Sequence, residues 1–279
     1  MESLARAPRA AKRSLGQHFL VDPNLQRRIA DAVAAGADDP VVEIGPGRGA
    51  LTTHLVERSL QLTLVELDDD LFAELESRHA DRADVRVVHG DVLKLDLRSL
   101  VRDWSRAHVV GNIPYNITTP IIFRLLEMPY PTDIVLTVQA EVARRIAAPP
   151  GTRRYGALSV GVQLHAAVEL VCKVPRGAFR PVPRVDSVAI RITPRSPPRL
   201  SPRGAARVRR LTRAAFSWRR KQLGTILARH PDLARPRPVV ERLLSSCSLA
   251  AEVRPERLAP EDFVALAAAL SETGRVHSR

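Results

Sequence analysis

The stretch Val41-Val42-Glu43-Ile44-Gly45-Pro46-Gly47-Arg48-Gly49-Ala50-Leu51 decides the fold. Its first four residues read as a buried strand, because a parallel strand covered on both faces carries a continuous apolar run rather than an alternating one. Three glycines at alternate positions follow. Without Cβ atoms they let the backbone turn sharply and come close to a ligand. From Ala50 and Leu51 the pattern becomes helical, so strand, glycine turn and helix make the first half of a nucleotide-binding unit.

Outward from this unit the same alternation repeats. Leu62-Thr63-Leu64-Val65 reads as a second strand ending in Glu66, 21 residues after Gly45. Val85-Arg86-Val87-Val88 is a third, with Asp91 just beyond it, and His108-Val109-Val110-Gly111 a fourth that delivers Asn112-Ile113-Pro114-Tyr115. Ile134 to Val138 is a fifth, before a helix containing Glu141, Arg144 and Arg145. Strands alternating with helices predict an α/β fold with a mostly parallel sheet, whose ligands sit at the carboxyl ends of the strands. Upstream, Asp22-Pro23 caps and starts a helix expected to reach about Ala35. Downstream, Leu158–Val174 and Val185–Ile192 read as β-rich. Pro194–Pro202 is a proline-rich linker, after which Val208, Leu211, Ala215 and Trp218 share one helical face. The expected organisation is a Rossmann-like domain over residues 1–195 and a small α-helical domain over residues 196–279, with the boundary near Arg195.

Charge separates the two parts. The net charge is +13 over 279 residues. Residues 196–279 hold 17 Lys/Arg against 7 Asp/Glu, and residues 1–195 hold 26 against 23. No acid stands between Asp186 and Asp232, while twelve basic residues do, eight of them from Arg203 to Lys221. Such a surface attracts a polyanion, above all nucleic acid. Met1–Arg13 carries four basic residues and no apolar core, which reads as a solvated tail rather than an export signal. No run approaches the roughly 20 apolar residues needed to span a membrane. Cys172 and Cys247 have no CxxC partner, so neither a disulfide framework nor a metal site is expected. A soluble, cytoplasmic, monomeric protein fits these features.

The glycine turn also satisfies the dinucleotide pattern G-x-G-x-x-[GA], with Glu66 near the distance of a ribose-binding acid. Three features favour S-adenosylmethionine over NAD. Glu43 gives E-x-G-x-G-x-G, Asp91 is placed to meet an adenine amino group, and no hydride-transfer machinery follows. At the fourth strand end, the Asn112 side-chain oxygen and a main-chain carbonyl at Ile113 or Pro114 offer two acceptors, and the Tyr115 ring offers a flat stacking face. Together they suit a planar amine such as adenine N6.

Gln17-His18-Phe19-Leu20, Glu43-Ile44-Gly45-Pro46-Gly47, Gly90-Asp91, Asn112-Ile113-Pro114-Tyr115-Asn116 and Phe179-Arg180-Pro181-Val182-Pro183-Arg184-Val185-Asp186-Ser187 together resemble the ribosomal RNA adenine N6-dimethyltransferases. The KsgA type, which acts on two adjacent adenosines near the 3′ end of 16S rRNA in the small ribosomal subunit, resembles the chain most. Tyr155–Val160 and Phe216–Lys221 extend the likeness over about residues 14–270. The resemblance implies that His18, Leu20, Gly45, Glu66, Asp91 and Asn112 line the S-adenosylmethionine pocket. It implies that Asn112, Ile113, Pro114 and Tyr115 carry the transfer and hold the base. Phe179 is the candidate stacking partner on the opposite face of the base, with a place in the core as the equal alternative, and Arg219, Arg220 and Lys221 are expected to meet RNA phosphates. His18 stands where the family usually has Asn, and Arg180 where it often has an aromatic.

Three other readings have distinct signatures. Ile113 and Arg180 also fit an Erm-type methylase of 23S rRNA, which would confer macrolide resistance. A non-catalytic assembly factor would bind the subunit without turnover. A nicotinamide oxidoreductase would prefer NAD(H).

Overall fold

The computed structural model describes residues 12, 15–58 and 61–273. Apart from Lys12, the basic start expected to be a solvated tail lies outside the described residues. The chain runs β1 (Phe19–Leu20), α1 (Pro23–Asp31), β2 (Pro40–Ile44), α2 (Thr52–Glu57), β3 (Gln61–Glu66), α3 (Asp69–Arg78), β4 (Val85–His89), β5 (His108–Asn112), α4 (Thr118–Leu125), β6 (Asp133–Gln139), α5 (Ala140–Ile146), α6 (Ala157–Gln163), β7 (Ala166–Val174), β8 (Phe179–Arg180), β9 (Ser187–Pro194), α7 (Pro202–Ser217), α8 (Leu223–Arg229), α9 (Arg237–Ser246) and α10 (Pro260–Thr273).

Seven strands form one sheet in the order β4-β3-β2-β5-β6-β9-β7. The pairs β2–β3, β3–β4, β2–β5 and β5–β6 are parallel. Val41, Val42, Val109, Val110, Ile134 and Val135 are fully buried, as expected for central strands covered on both faces. From β2 the chain steps outward to β3 and β4, then returns to lay β5 and β6 on the other side. A crevice forms where the strand order reverses, outside the carboxyl ends of β2 and β5. A separate two-stranded pair joins β1 to β8 antiparallel, with Phe19 opposite Arg180 and Leu20 opposite Phe179.

The structure departs from the sequence reading at three places. Helix α1 starts at Pro23 with Asp22 capping it, but ends at Asp31 rather than near Ala35. There the Arg58 guanidinium donates to the carbonyls of Ala30, Val33 and Ala35 at 2.8, 3.0 and 3.1 Å, taking acceptors that further helical turns would use. The run expected to be β-rich from Leu158 is helical through Gln163. Ser159 Oγ accepts from the Gly156 N–H at 3.0 Å at the start of α6, and Val160 and Leu164 pack into a helical core. Finally, a single cut near Arg195 does not describe the organisation. One compact unit holds the described residues up to Arg124 with Pro131–Ala140 and Leu170–Arg191. The other holds Leu125–Tyr130, Glu141–Glu169 and the described residues from Ile192 onward. Tyr155 explains why its segment joins the C-terminal helices: it is fully buried among Val208, Leu211 and Phe263, and its hydroxyl donates to the Leu258 carbonyl at 2.9 Å.

No helix among the described residues is long and apolar enough to cross a membrane.

Candidate active site

A cavity of about 500 Å³ opens at the carboxyl ends of β2, β3, β4 and β5, within the size range of a cofactor site. His18, Leu20, Gly45, Glu66, Asp91, Asn112, Ile113, Pro114 and Tyr115 all line it. The glycine turn forms its floor. Gly45 and Gly47 have φ of +64° and +59°, a region that side-chain-bearing residues seldom occupy. A Cβ at Gly45 would meet no protein atom within 4 Å, and one at Gly47 would press on the Phe19 ring at 3.0 Å. The turn is therefore open on one side and tightly backed on the other.

Glu66 fixes the rim. One carboxylate oxygen accepts the Gly47 N–H at 3.0 Å, and the other accepts those of Leu67 and Asp68 at 2.9 and 3.0 Å. Burial pushes its pKa up, while these amide bonds pull the other way. A carboxylate has about four acceptor positions, so Glu66 retains capacity for a ribose hydroxyl. The cradle and this acid fit S-adenosylmethionine. Asp91 sits beyond β4, its carboxylate accepting the Leu93 N–H at 2.9 Å.

Glu43 lies beneath the turn, buried, with the Thr52 hydroxyl donating to it at 2.7 Å. Burial, together with the nearby Glu66 carboxylate, raises its pKa to about 7, the Thr52 bond partly offsetting this. A carboxyl whose folded pKa lies above its unfolded value holds its proton more tightly in the native state. Stability is therefore greatest below the unfolded value of 4.5 and declines as pH rises towards about 7. The integrated cost above that window is about 3 kcal/mol. Glu43→Gln keeps an acceptor for Thr52 and removes the titration. Thermal unfolding is expected to find the variant and the parent alike near pH 5 and the variant more stable at pH 8.

The segment before β1 walls one side of the cavity and is fastened to Asp68, the N-cap of α3. Gln17 Nε2 donates to one Asp68 carboxylate oxygen at 3.0 Å, and Lys12 Nζ reaches the other at 2.7 Å. Lys12, expected in a solvated tail, is thus ion-paired instead, and the sequence assigns neither Gln17 nor Asp68 this tie. Asp68 has the signature of an N-cap, but its two long-range partners have no local signal.

At the end of β5 the Asn112 amide nitrogen donates to the His18 carbonyl at 2.9 Å, which orients the amide and leaves Oδ1 as an acceptor. The Pro114 carbonyl already accepts the Ile117 N–H at 3.2 Å and the Thr118 hydroxyl at 3.4 Å. The Tyr115 and Ser187 hydroxyls share a hydrogen bond of 2.7 Å. Burial pushes the Tyr115 phenol up, so it stays protonated. The His18 ring lies nearly parallel to that of Tyr115, centroids 5.7 Å apart and planes at 23°.

Two expected substrate contacts are placed elsewhere. Phe179 is fully buried in a core with Leu20, Ile29 and Val174, so its ring presents no open face to a base. The same β1–β8 pairing that brings this segment to the site turns its aromatic inward. Arg219 donates to the carbonyls of Arg153 and Thr152 at 2.7 and 3.0 Å, clamping that loop rather than facing a phosphate. Arg220 and Lys221 are exposed. Among the described residues, no group of three or more His, Cys, Asp or Glu is placed to hold a metal ion.

The chain is similar to known proteins over nearly its whole length. A family model described as ribosomal RNA adenine dimethylase matches residues 9–256. A ribosomal RNA small subunit methyltransferase A from Geobacter sulfurreducens is 40% identical over 267 residues, covering 95% of this chain and 96% of the relative. Among solved structures, a dimethyladenosine transferase from Plasmodium falciparum superposes with a TM-score of 0.81 at 28% identity, covering 92% of this chain and 98% of that one. The 23S rRNA methyltransferase ErmE superposes with a TM-score of 0.69 at 30% identity, covering 91% and 99%.

Proposed function

The chain belongs to the ribosomal RNA adenine dimethylase family, and from that premise we infer that it methylates N6 of two adjacent adenosines near the 3′ end of 16S rRNA in the small ribosomal subunit. The observation that carries the reading is the Asn112 amide, held by the His18 carbonyl in the same cavity as the glycine cradle. S-adenosylmethionine, when bound, supplies an electrophilic methyl on a sulfonium.

The residues of this chain prepare the nitrogen. Adenine N6 is a weak nucleophile because its lone pair is delocalised into the ring. Asn112 Oδ1 accepts one N–H. The Ile113 carbonyl accepts the other, since that of Pro114 is already engaged by Ile117 and Thr118. Holding both hydrogens favours a pyramidal nitrogen and aims its lone pair. Tyr115 stacks on a base that has left its own stack, a contact worth about 1–3 kcal/mol. No side chain need act as base, because the methylated nitrogen is cationic and loses its proton to water.

The basic helical unit binds RNA phosphates and sets orientation, while the cavity selects the base. Affinity for small subunits is expected to fall steeply with salt, and replacing both Arg220 and Lys221 by Ala to lower the log–log slope by about two, roughly one per phosphate contact. Salt-insensitive binding would remove the phosphate assignment. We take the protein to act as a monomer. We place the protein in the cytoplasm with its substrate.

The decisive experiment offers labelled S-adenosylmethionine with small subunits lacking the modification, beside large subunits and free RNA, followed by digestion to nucleosides. N6,N6-dimethyladenosine in 16S rRNA alone is expected. Label in 23S rRNA would move the chain to the Erm-type activity, and no label despite cofactor binding would indicate an assembly role.

A further inference from the structure

Asp91, the acid placed to accept the adenine amino group of S-adenosylmethionine, stands on a loop rather than on a strand. We propose that Arg124, which does not itself line the cavity, is the residue that positions this loop and with it the carboxylate. The proposal rests on that reading of Asp91 and extends it to a residue that touches no ligand.

The loop after β4 closes on Asp91. Its carboxylate accepts the Leu93 N–H at 2.9 Å, and its carbonyl accepts those of Lys94 and Leu95 at 2.8 and 2.9 Å. These bonds use the amide hydrogens of the loop inside the loop, so its carbonyls must look outward for partners. Arg124 meets two of them. Its Nε donates to the Val92 carbonyl at 3.2 Å and its Nη2 to that of Leu95 at 2.5 Å. A guanidinium presents these donors along one rigid edge, so a single group fixes both carbonyls. Gly90 admits the tight fold, since a Cβ there would stand 3.0 Å from the Leu95 side chain. Lys94 also approaches Asp91 Oδ2, but at 3.7 Å and with its side chain 85% exposed it supplies little restraint.

Arg124 is firmly seated. It stands half-buried in the last turn of α4, whose Ile121 and Ile122 are fully buried. The first residue of that helix, Thr118, bonds through its hydroxyl to the Pro114 carbonyl at 3.4 Å. Arg124 lies about 9 Å further along the axis at 1.5 Å per residue. The Asp91 loop is therefore gripped by an element that the Asn112–Tyr115 segment already anchors at its other end.

The test uses S-adenosylhomocysteine, the product of methyl transfer, beside its analogue with hydrogen in place of the adenine amino group, both titrated by calorimetry. A hydrogen bond to a charged acceptor gives the parent a preference of about tenfold or more for the amino compound. Arg124→Met keeps an unbranched side chain and loses both donors. It is expected to reduce the preference to about threefold or less by raising the Kd of the amino compound, while the Kd of the analogue stays within about twofold of the parent. Arg124→Lys, with one flexible ammonium, should fall between the two. In methylation of small subunits, Arg124→Met should raise KM for S-adenosylmethionine and leave kcat within about threefold. An unchanged preference in Arg124→Met overturns the proposal. Equal weakening of both compounds overturns it too, because that marks a general disturbance of the cavity. A parent that does not distinguish the two compounds removes the role given to Asp91, and the proposal with it.

Discussion

Asn112→Ala is expected to lower kcat about a hundredfold or more while the protein remains folded. The estimate follows from what preorganised polar groups at a reacting centre contribute, about 10²–10³ for one such group. Asn112 is half-buried at the end of β5, and its amide bonds to a main-chain carbonyl, so its loss removes one hydrogen bond and no core volume. The unfolding transition should shift by about 1 kcal/mol. Single-turnover rates at saturating S-adenosylmethionine read the chemical step. A rate within threefold of the parent would mean that Asn112 does not hold the nitrogen.

Gly111→Ala, one residue earlier, is expected to damage both fold and activity. Gly111 is needed for close approach and not for an unusual backbone angle. A Cβ there would stand 2.6 Å from the Ile44 carbonyl oxygen and 3.2 Å from Ile113 Cγ2. The obstacle is the backbone of β2, paired to β5 with Ile44 opposite Gly111, so no side-chain rotation relieves it. Overpacking of a buried site costs about 1–3 kcal/mol, and a rigid neighbour puts this substitution at the upper end or beyond. Widening the β2–β5 spacing also displaces Asn112 relative to the glycine turn, and misplacement by about 1 Å can cost 10²-fold in rate. Denaturant unfolding and methyl transfer should both fall. Stability unchanged with full activity would show that the sheet absorbs a methyl group at its centre.

What was legible in the sequence is what a short stretch of chain decides by itself. The central strands are legible because burial on both faces demands uninterrupted Val and Ile, as in Val41-Val42 and Val109-Val110. The cavity edge is legible because Gly45, Glu66, Asp91 and Asn112 each follow or end such a run. The misread features are those that a distant partner decides. Phe179 in a proline-rich loop looks the same whether its ring turns towards a base or towards Ile29 and Val174. Arg219 reads as a free cation until the carbonyls of Thr152 and Arg153 arrive from 66 or 67 residues away. Ala157–Gln163 is short and rich in apolar residues, and beyond the Ser159 contact at its start it is packing with Tyr155 and α7 that favours the helix. The interleaved division into two units has no local signature either. Leu125–Tyr130 and Glu141–Glu169 join the C-terminal helices although they lie inside the stretch that makes the sheet.

The antiparallel pair β1–β8 is only two residues long on each side. Short as it is, the clasp is anchored in the core, since Leu20 and Phe179, which face each other across it, are both buried. It bounds the cavity through Phe19 and Leu20 and carries His18 against Pro181. Each methyl group requires a fresh cofactor, so two methyl groups require two visits of S-adenosylmethionine to a cavity whose wall this clasp ties to the core. Monomethylated adenosine should therefore appear transiently early in the time course before the doubly modified product replaces it.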